Sequence, residues 1–257
     1  MTFAVLPTMP AVDLAELTER AALLSRVDRK YLLPLAAAGR LLDTLALSAQ
    51  VLEIGGIRHF GYESLYFDTP ELSSYLRTAY RHRRRFKIRT RTYVDSGECW
   101  LEVKVPGPRG STIKYRSPYE PGRRPGIGDA LAFVDEVLAR HGLTARHRTG
   151  LAPTLRTAYR RCTFLLPSTA DRVTVDTDLR WTADGRELRL PGTAIVETKT
   201  GAAPSAADRL LWRRGHRPVA ISKYATGLAA LRAELPAAPW QRLLRQHFTA
   251  AREELVR

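Results

Sequence analysis

Apolar positions recur along this chain at two spacings, every second residue in some stretches and every third or fourth in others, which predict strands and helices respectively. Helical spacing covers Asp13–Leu24, strand alternation covers Ser25–Pro34, and an Ala/Leu-rich helix follows over Leu35–Leu47. Tyr62–Pro70 reads as a strand ended by Thr69-Pro70, where Asp68 or Thr69 suits a cap for the helix through Glu71–Arg81. Three strands follow over Arg83–Tyr93, Cys99–Val105 and Ser111–Tyr119, with turn chemistry at Asp95-Ser96-Gly97 and Pro106–Gly110. A glycine-rich loop, Pro121–Asp129, leads into a helix over Ala130–His141. A second strand group spans Thr154–Leu166, Asp171–Trp181 and Gly192–Thr200, with a turn at Ala183-Asp184-Gly185. Helices close the chain near Ser205–Gly215, Ala225–Glu234 and Trp240–Val256. No linker or repeat divides this pattern, so the expectation is one α+β domain over residues 1–257. Its core spans about residues 25–231, with an N-terminal helix and tail over 1–24 and a C-terminal helix over 239–257. About eight mainly antiparallel strands carry helices packed outside.

Alternation also assigns faces, because successive strand residues point to opposite sides. In Arg83–Tyr93 one side carries Arg83, Arg85, Lys87, Arg89, Arg91 and Tyr93, and the other carries Arg84, Phe86, Ile88, Thr90 and Thr92. The neighbours repeat the division. Glu98, Trp100, Glu102 and Lys104 lie opposite Leu101, Val103 and Val105, while Thr112, Lys114 and Arg116 lie opposite Ile113 and Tyr115. Arg172, Thr174, Asp176, Asp178 and Arg180 share a side, as do Arg26, Asp28 and Lys30, and Glu197 with Lys199. Each strand therefore has an apolar side for helices and an ionic side. Closed into an eight-stranded β tunnel or barrel, such strands would line a cationic interior that repels itself unless a polyanion fills it.

Charge sharpens that reading. Lys and Arg number 41 against 26 Asp and Glu, a formal charge of +15. An anionic partner is expected, and sparse aromatics without a helix-turn-helix or RNP pattern argue against specific nucleic acid. No apolar run reaches the roughly 18–20 residues a membrane helix needs. Two cysteines, Cys99 and Cys162, exclude a disulfide framework or a cysteine-built zinc site, so a reducing, cytoplasmic setting is expected. The six histidines, His147 among them, show no H-E-x-x-H spacing, and no G-x-x-x-x-G-K-[ST] loop is present. Asp176 and Asp178 are open to two readings, metal ligation or ion pairing with Arg172 and Arg180. Trp100 is open to adenine stacking or to packing at a rim.

The ordered segments RKYLLP, YFDTPELSSYL, KIRTRTY, WLEVKV, IKYR, YRRCTF, VDTDLRW, VETK and SKYATG resemble the VTC (vacuolar transporter chaperone) polyphosphate-polymerase domain, within the triphosphate tunnel metalloenzyme superfamily that includes CYTH proteins. The resemblance implies an eight-stranded antiparallel tunnel holding triphosphate or polyphosphate. It implies that Arg89 and Arg91 match the family's R-x-R, that Lys104 and Lys114 match its next tunnel lysines, and that Arg161 matches the later tunnel arginine, together the expected catalytic set. Lys30 and Lys223 match lysines of the first strand and of one mouth; with Arg85, Lys87, Arg116 and Lys199 on the ionic sides they form the expected substrate-binding set. Glu197 matches the metal-binding glutamate, with Glu102 second. The E-x-E-x-K of CYTH members appears as Arg26-Val27-Asp28-Arg29-Lys30, and the family's S-K-F-S-K is shortened to Ser222-Lys223-Tyr224-Ala225-Thr226.

Arg offers planar forks for phosphate oxygens and Lys offers point charges. Cations at every second residue recur about every 6.5 Å along a strand, a rail for linked phosphates. Mg²⁺ or Mn²⁺ suits carboxylate, water and phosphate oxygens. A terminal phosphate acceptor is already ionised at neutral pH and needs no strong base. The expected function is therefore a metal-dependent polyphosphate polymerase, an ATP-using phosphotransferase whose partners are ATP and polyphosphate. The alternatives are a tunnel triphosphatase acting on inorganic or organic triphosphates and a non-catalytic polyanion binder.

Overall fold

The computed structural model describes residues 3–20, 27–107, 111–120, 127–143, 150–249 and 251. Expectations on residues 21–26, the tip of the turn at 108–110, the loop at 121–126, His147 and the last turns of the C-terminal helix lie outside the described residues.

In chain order the elements are β1 (Ala11–Val12), α1 (Leu14–Arg20), β2 (Val27–Pro34), α2 (Leu35–Leu45), β3 (Gln50–Leu52), β4 (Phe60–Asp68), α3 (Ser73–Ala79), β5 (Lys87–Tyr93), β6 (Cys99–Pro106) and β7 (Thr112–Pro118). There follow α4 (Leu131–Arg140), β8 (Ala152–Leu166), β9 (Asp171–Ala183), β10 (Arg186–Leu190), β11 (Thr193–Thr200), α5 (Ala206–Arg213), α6 (Lys223–Leu231) and α7 (Gln241–His247). The sheet follows the order β2-β11-β9-β8-β4-β5-β6-β7, with β1, β3 and β10 attached beside it. The pairs β2–β11, β11–β9, β4–β5, β5–β6 and β6–β7 are antiparallel. This is the mainly antiparallel α+β architecture that the alternation predicts, with one difference: the path is not closed, and β2 and β7 are its ends. The end strand β7 exposes Lys114 and Arg116 and stops at Pro118, features that discourage a further strand from pairing.

The chain forms two compact units. The first comprises Met1–Gly61, Tyr159–Leu179 and Leu190–Ile221; the second comprises Tyr62–Ala158, Arg180–Arg189 and Ser222–Arg257. Strands β8 and β9 contribute residues to both.

In the first unit Pro34 ends β2 and α2 starts at once. Its buried Ala37, Ala38, Leu41, Leu42 and Leu45 form the stripe that helical spacing requires. That stripe joins Tyr31 and Leu33 of β2, Phe164 of β8, Val173 and Val175 of β9, Val196 of β11 and Leu211 of α5 in one core. Helix α5 opens with a capping box: Ser205 accepts from the Asp208 amide, and Asp208 accepts from the Ser205 amide.

In the second unit Ile88, Leu101, Val103 and Val105 form an apolar sheet face that, with Phe86 from just before β5, packs against Val134, Val137 and Leu138 of α4. The β9–β10 hairpin turns on Asp184 and Gly185 at positive φ, the Asp-Gly turn read from sequence. Strand β5 begins at Lys87 rather than Arg83. Helix α3 ends at Ala79, Arg81 takes φ 56°, and the Arg77 guanidinium donates to the Arg84 carbonyl at 2.9 Å, which holds residues 81–86 outside the sheet.

Helix α6 lies under the Trp181 ring, whose Nε1 donates to the Lys223 carbonyl at 2.8 Å. A Cβ on Gly227 would meet Trp181 Cδ1 at 2.1 Å. Trp181 is buried and also faces Phe248, so it has no room to retreat. Gly227→Ala is expected to destabilise by about 1–3 kcal/mol, the usual result of overpacking, visible as a lower thermal midpoint. An unchanged midpoint would mean that the α6–Trp181 contact is looser than this geometry.

Candidate functional site

Strand register in the second unit places cations in adjacent rows. Lys87 pairs with Lys104, which pairs with Lys114. One step along, Tyr66 pairs with Arg89, Arg89 with Glu102, and Glu102 with Arg116; the next row brings Ser64, Arg91 and Trp100 together. All lie on the side opposite the apolar face that α4 covers. Lysines directly opposite one another repel, and Glu102 is the carboxylate among them.

Glu102 is 1% exposed and Arg89 is 6% exposed. Arg89 Nε and Nη2 donate to Glu102 Oε2 at 2.8 and 2.5 Å, and Arg89 Nη1 donates to the Tyr66 hydroxyl at 3.0 Å. Lys114 Nζ donates to Glu102 Oε1 at 3.4 Å. Burial alone would push the Glu102 carboxyl up, but Arg89, Arg91, Lys104 and Lys114 overturn it and hold the group well below the usual carboxylate range. Desolvation in turn lowers Lys114 below the ordinary lysine value despite the pull of Glu102. Arg91 lies over the Tyr62 ring at 5.5 Å and Arg116 over Trp100 at 4.7 Å, so Trp100 serves as packing for an arginine.

The depressed Glu102 value fixes a pH dependence. A carboxylate held below its unfolded value, about 4.3, contributes stability above that pH and loses it as pH falls toward the folded value. Glu102→Gln is therefore expected to lower the midpoint at pH 7, with the gap between mutant and wild type constant down to about pH 4 and narrowing steadily as pH falls below it. Parallel curves across that range would rule out the linkage.

The first unit has its own ionic side. Lys30 of β2 pairs with Glu197 of β11 and Glu197 with Thr174 of β9; Asp28 pairs with Lys199 and Lys199 with Arg172. Lys199 Nζ donates to Glu197 Oε1 and lies 3.4 Å from Asp28 Oδ2. Burial opposes ionisation of Glu197, yet Lys199, Lys30 and Arg161 hold it well below the ordinary range. Arg161 forms a fork on Asp176, Nε to Oδ1 at 2.5 Å and Nη2 to Oδ2 at 2.8 Å. Asp176 thus ion-pairs with Arg161, a partner that the reading of the strand's own face did not offer. Asp178 is exposed at φ 53°. The Thr174 hydroxyl is buried with no hydrogen-bond partner among the described residues. Burial, with Asp176 nearby, pushes the Cys162 thiol up to about 12, so it is an inert wall residue.

The remaining expected residues fall as follows. Lys87 Nζ donates to the Ser222 hydroxyl at 3.1 Å, Lys223 starts α6, and Arg85 is exposed before β5 begins. Asp68 and Thr69 are the caps of α3: Asp68 accepts from the amides of Ser74 and Tyr75 at 2.8 and 2.9 Å, and Thr69 Oγ1 accepts from Ser73 N at 3.1 Å. Asp68 also accepts the Tyr224 hydroxyl at 2.5 Å, and the Tyr224 ring stacks on Tyr66 at 5.0 Å. Alternation missed the roles of Ser222 and Tyr224. A usable signal for Ser222 was its fitness as an N-cap, since its hydroxyl accepts from Ala225 N at 3.2 Å.

A family model described as the VTC domain matches residues 25–232. No curated protein matches the chain. Similar solved structures include HpAC1 from Hippeastrum, described as an adenylyl cyclase candidate with a dominant triphosphatase activity, at 16% identity over 79% of this chain and 94% of that one, TM-score 0.44. Another is an adenylate cyclase candidate from Bacillus halodurans, at 15% identity over 77% of this chain and 93% of that one, TM-score 0.45. The Pct1 RNA triphosphatase of S. pombe, in complex with the Spt5 CTD, is similar at 12% identity over 89% of this chain and 76% of that one, TM-score 0.29. Among the described residues no helix is long and apolar enough to cross a membrane.

Proposed function

This chain belongs to the VTC-domain family, and from that premise we propose that it is a metal-dependent phosphotransferase that passes the γ-phosphoryl group of ATP to a polyphosphate chain. The observation that carries the reading is the excess of cation around Glu102. Arg89, Arg91, Lys104 and Lys114 all bear on that single carboxylate, beside a row of three paired lysines, Lys87, Lys104 and Lys114. A folded protein stabilises such a surplus best when an anion of several charges occupies it.

In this reading Arg91 and Lys104 take phosphate oxygens, with Arg89 aimed by Glu102 and Tyr66. Lys87 and Arg116 extend the same face, and Arg85 and Lys223 bind at its margins. Loose phosphoryl transfer asks the protein for alignment and charge neutralisation more than covalent work, which a lattice of fixed guanidinium and ammonium groups supplies. Lys30, Lys199 and Arg161 neutralise phosphate charge on the first unit's face.

Three or more His, Cys, Asp or Glu side chains do not gather as a preformed cage among the described residues. Magnesium and manganese do not need one, since they keep water and take one or two carboxylates plus substrate phosphates. Glu197 fits that demand: its Oε1 accepts from Lys199, and the Thr174 hydroxyl, without a hydrogen-bond partner among the described residues, stands opposite it in register. Glu102 fits less well, because Arg89 and Lys114 occupy both its oxygens. A divalent ion held at Glu197 would supply charge neutralisation on phosphate oxygens.

The test is incubation of purified protein with ATP and Mn²⁺, followed by phosphorus NMR. Growth of internal phosphate signal with matching ADP is expected. Orthophosphate release from tripolyphosphate without polymer would replace this reading with the triphosphatase one. Long polyphosphate is also expected to raise the thermal midpoint, since a ligand at 100 times its Kd contributes about 2.7 kcal/mol of stability.

A further inference from the structure

The cations of β5 do not stop where the strand does. Arg81, His82, Arg83, Arg84 and Arg85 precede Lys87 and are all exposed. Some surface arginines have carboxylate partners, as Arg20 with Glu16, Arg140 with Glu136, Arg156 with Glu63, Arg189 with Glu187 and Arg232 with Asp184, and others such as Arg40, Arg186 and Arg217 have none among the described residues. What sets residues 81–85 apart is four arginines within five consecutive exposed positions. Among the described residues no carboxylate pairs with Arg81, Arg83, Arg84 or Arg85. The segment is nonetheless held in one shape. His82 N donates to the Arg77 carbonyl at 2.8 Å, Arg81 N to the Thr78 carbonyl at 3.1 Å, the Arg77 guanidinium to the Arg84 carbonyl at 2.9 Å, and the Ser74 hydroxyl to the Phe86 carbonyl at 2.5 Å. Every one of these bonds secures backbone and leaves the Arg81, Arg83 and Arg84 side chains to solvent. A fixed backbone carrying uncompensated guanidinium groups is an anion-binding surface whose ordering cost is already met by the fold.

We infer that residues 81–85 are an external landing tract for the part of a polyphosphate chain that extends beyond Lys87, so that this protein distinguishes long polyphosphate from triphosphate. The inference rests on the proposed polyphosphate chemistry of the β5–β7 face and adds the chain-length class. A triphosphate is confined to the strand cations, whereas a long chain bound there continues past Lys87 and meets the tract. Polyphosphate is favoured over nucleic acid because Arg85 stands two residues before Lys87, which opens the paired row of Lys87, Lys104 and Lys114.

The experiment titrates long-chain polyphosphate, tripolyphosphate and duplex DNA separately into wild type and an R81N/R83S/R84S variant. Asparagine tolerates the left-handed backbone of residue 81, and serine at 84 keeps the carbonyl that Arg77 uses. The Kd for long polyphosphate is expected to rise about tenfold and its log–log salt slope to fall by about two, as loss of three phosphate contacts implies. The tripolyphosphate Kd should stay within twofold, which also reports a folded face. A charge-reversal variant, R83E/R84E, should exaggerate the long-chain loss alone. An unchanged long-chain Kd in both variants overturns the tract, as does equal loss for both phosphate ligands. Duplex DNA that binds wild type as tightly as long polyphosphate, and loses as much in the variants, overturns the choice of partner. Wild type that binds neither phosphate ligand removes the proposed function itself, an outcome distinct from failure of the tract.

Discussion

Arg89→Ala is expected to lower both the thermal midpoint and the phosphoryl-transfer rate more than any other single change on the β5–β7 face. Arg89 joins strands on either side of β5, holding Glu102 through two nitrogens and Tyr66 through the third. Its removal leaves a carboxylate that is 1% exposed without its closest counter-charge. Breaking a buried pair from one side costs about 3–5 kcal/mol, and the lower end applies here because Arg91, Lys104 and Lys114 remain. Loss of an aimed cation from a phosphate site should also lower turnover by about 10²–10³-fold. Stability and chemistry are separated by Arg89→Met combined with Glu102→Leu, where two apolar groups replace the pair. Calorimetry should show part of the stability recovered, while turnover stays at the Arg89→Ala level. Recovered turnover in that double variant would make Arg89 a purely structural residue.

The two ionic sides differ in balance, and the difference has a physical consequence. On the first unit Lys30, Lys199, Arg161 and Arg172 stand among Asp28, Glu197 and Asp176, with a fork from Arg161 to Asp176 and contacts from Lys199 to both other carboxylates. On the second unit Glu102 stands among Lys87, Arg89, Arg91, Lys104, Lys114 and Arg116, six cations around one carboxylate. A near-neutral set carries little repulsion when empty and suits a metal with limited phosphate charge. A strongly cationic set gains most from a polyanion, so the salt dependence of polyphosphate binding should respond chiefly to substitutions on β5, β6 and β7.

Period-two alternation made the ionic and apolar sides legible, because β5, β6 and β7 follow it closely, and β11 follows it from Val196 onward. It misplaced the start of β5, since Arg83-Arg84-Arg85 alternates formally while the Arg77 bond to the Arg84 carbonyl and the left-handed Arg81 take that stretch out of the sheet. Helix α6 begins at Lys223, two residues before the expected Ala225, because Ser222 caps it. The short β1 and β3 carry too few residues for a period to register. Ring closure depends on what the end strands meet, which alternation within each strand does not encode. The carboxylate hubs were illegible for a related reason: Asp68 meets Tyr224 and Asp208 meets Tyr31 across separations of 156 and 177 residues. Local spacing carries no trace of such pairs.

Asp208→Ala should have the largest purely structural effect. This carboxylate is 0% exposed and accepts from the Tyr31 hydroxyl at 2.6 Å and the Thr198 hydroxyl at 2.7 Å through Oδ1. Its Oδ2 accepts from the Ser205 amide at 2.8 Å and the Ser205 hydroxyl at 2.9 Å, with Arg29 Nη1 at 3.4 Å. One side chain thus ties the start of α5 to β2 and β11. Alanine leaves those donors buried without an acceptor, each worth about 1–3 kcal/mol when orphaned. Even after relaxation the total should exceed about 4 kcal/mol, a large share of the 5–15 kcal/mol that holds a typical domain together. Asp208→Ala is therefore expected in the insoluble fraction or with a midpoint more than about 10 °C lower, at about 2–4 °C per kcal/mol for a chain of this size. Thr198→Val removes one donor and leaves the carboxylate its other partners, so it should cost about 1–2 kcal/mol, and Tyr31→Phe should cost more, about 2–3 kcal/mol, because its hydroxyl also accepts from Trp212 Nε1 at 3.0 Å. Because Lys30 neighbours Tyr31 and points to the opposite side of β2, Tyr31→Phe should leave polyphosphate affinity intact while lowering the midpoint. A soluble Asp208→Ala protein with the wild-type midpoint would show that water replaces these contacts and that α5 is anchored by its apolar face alone.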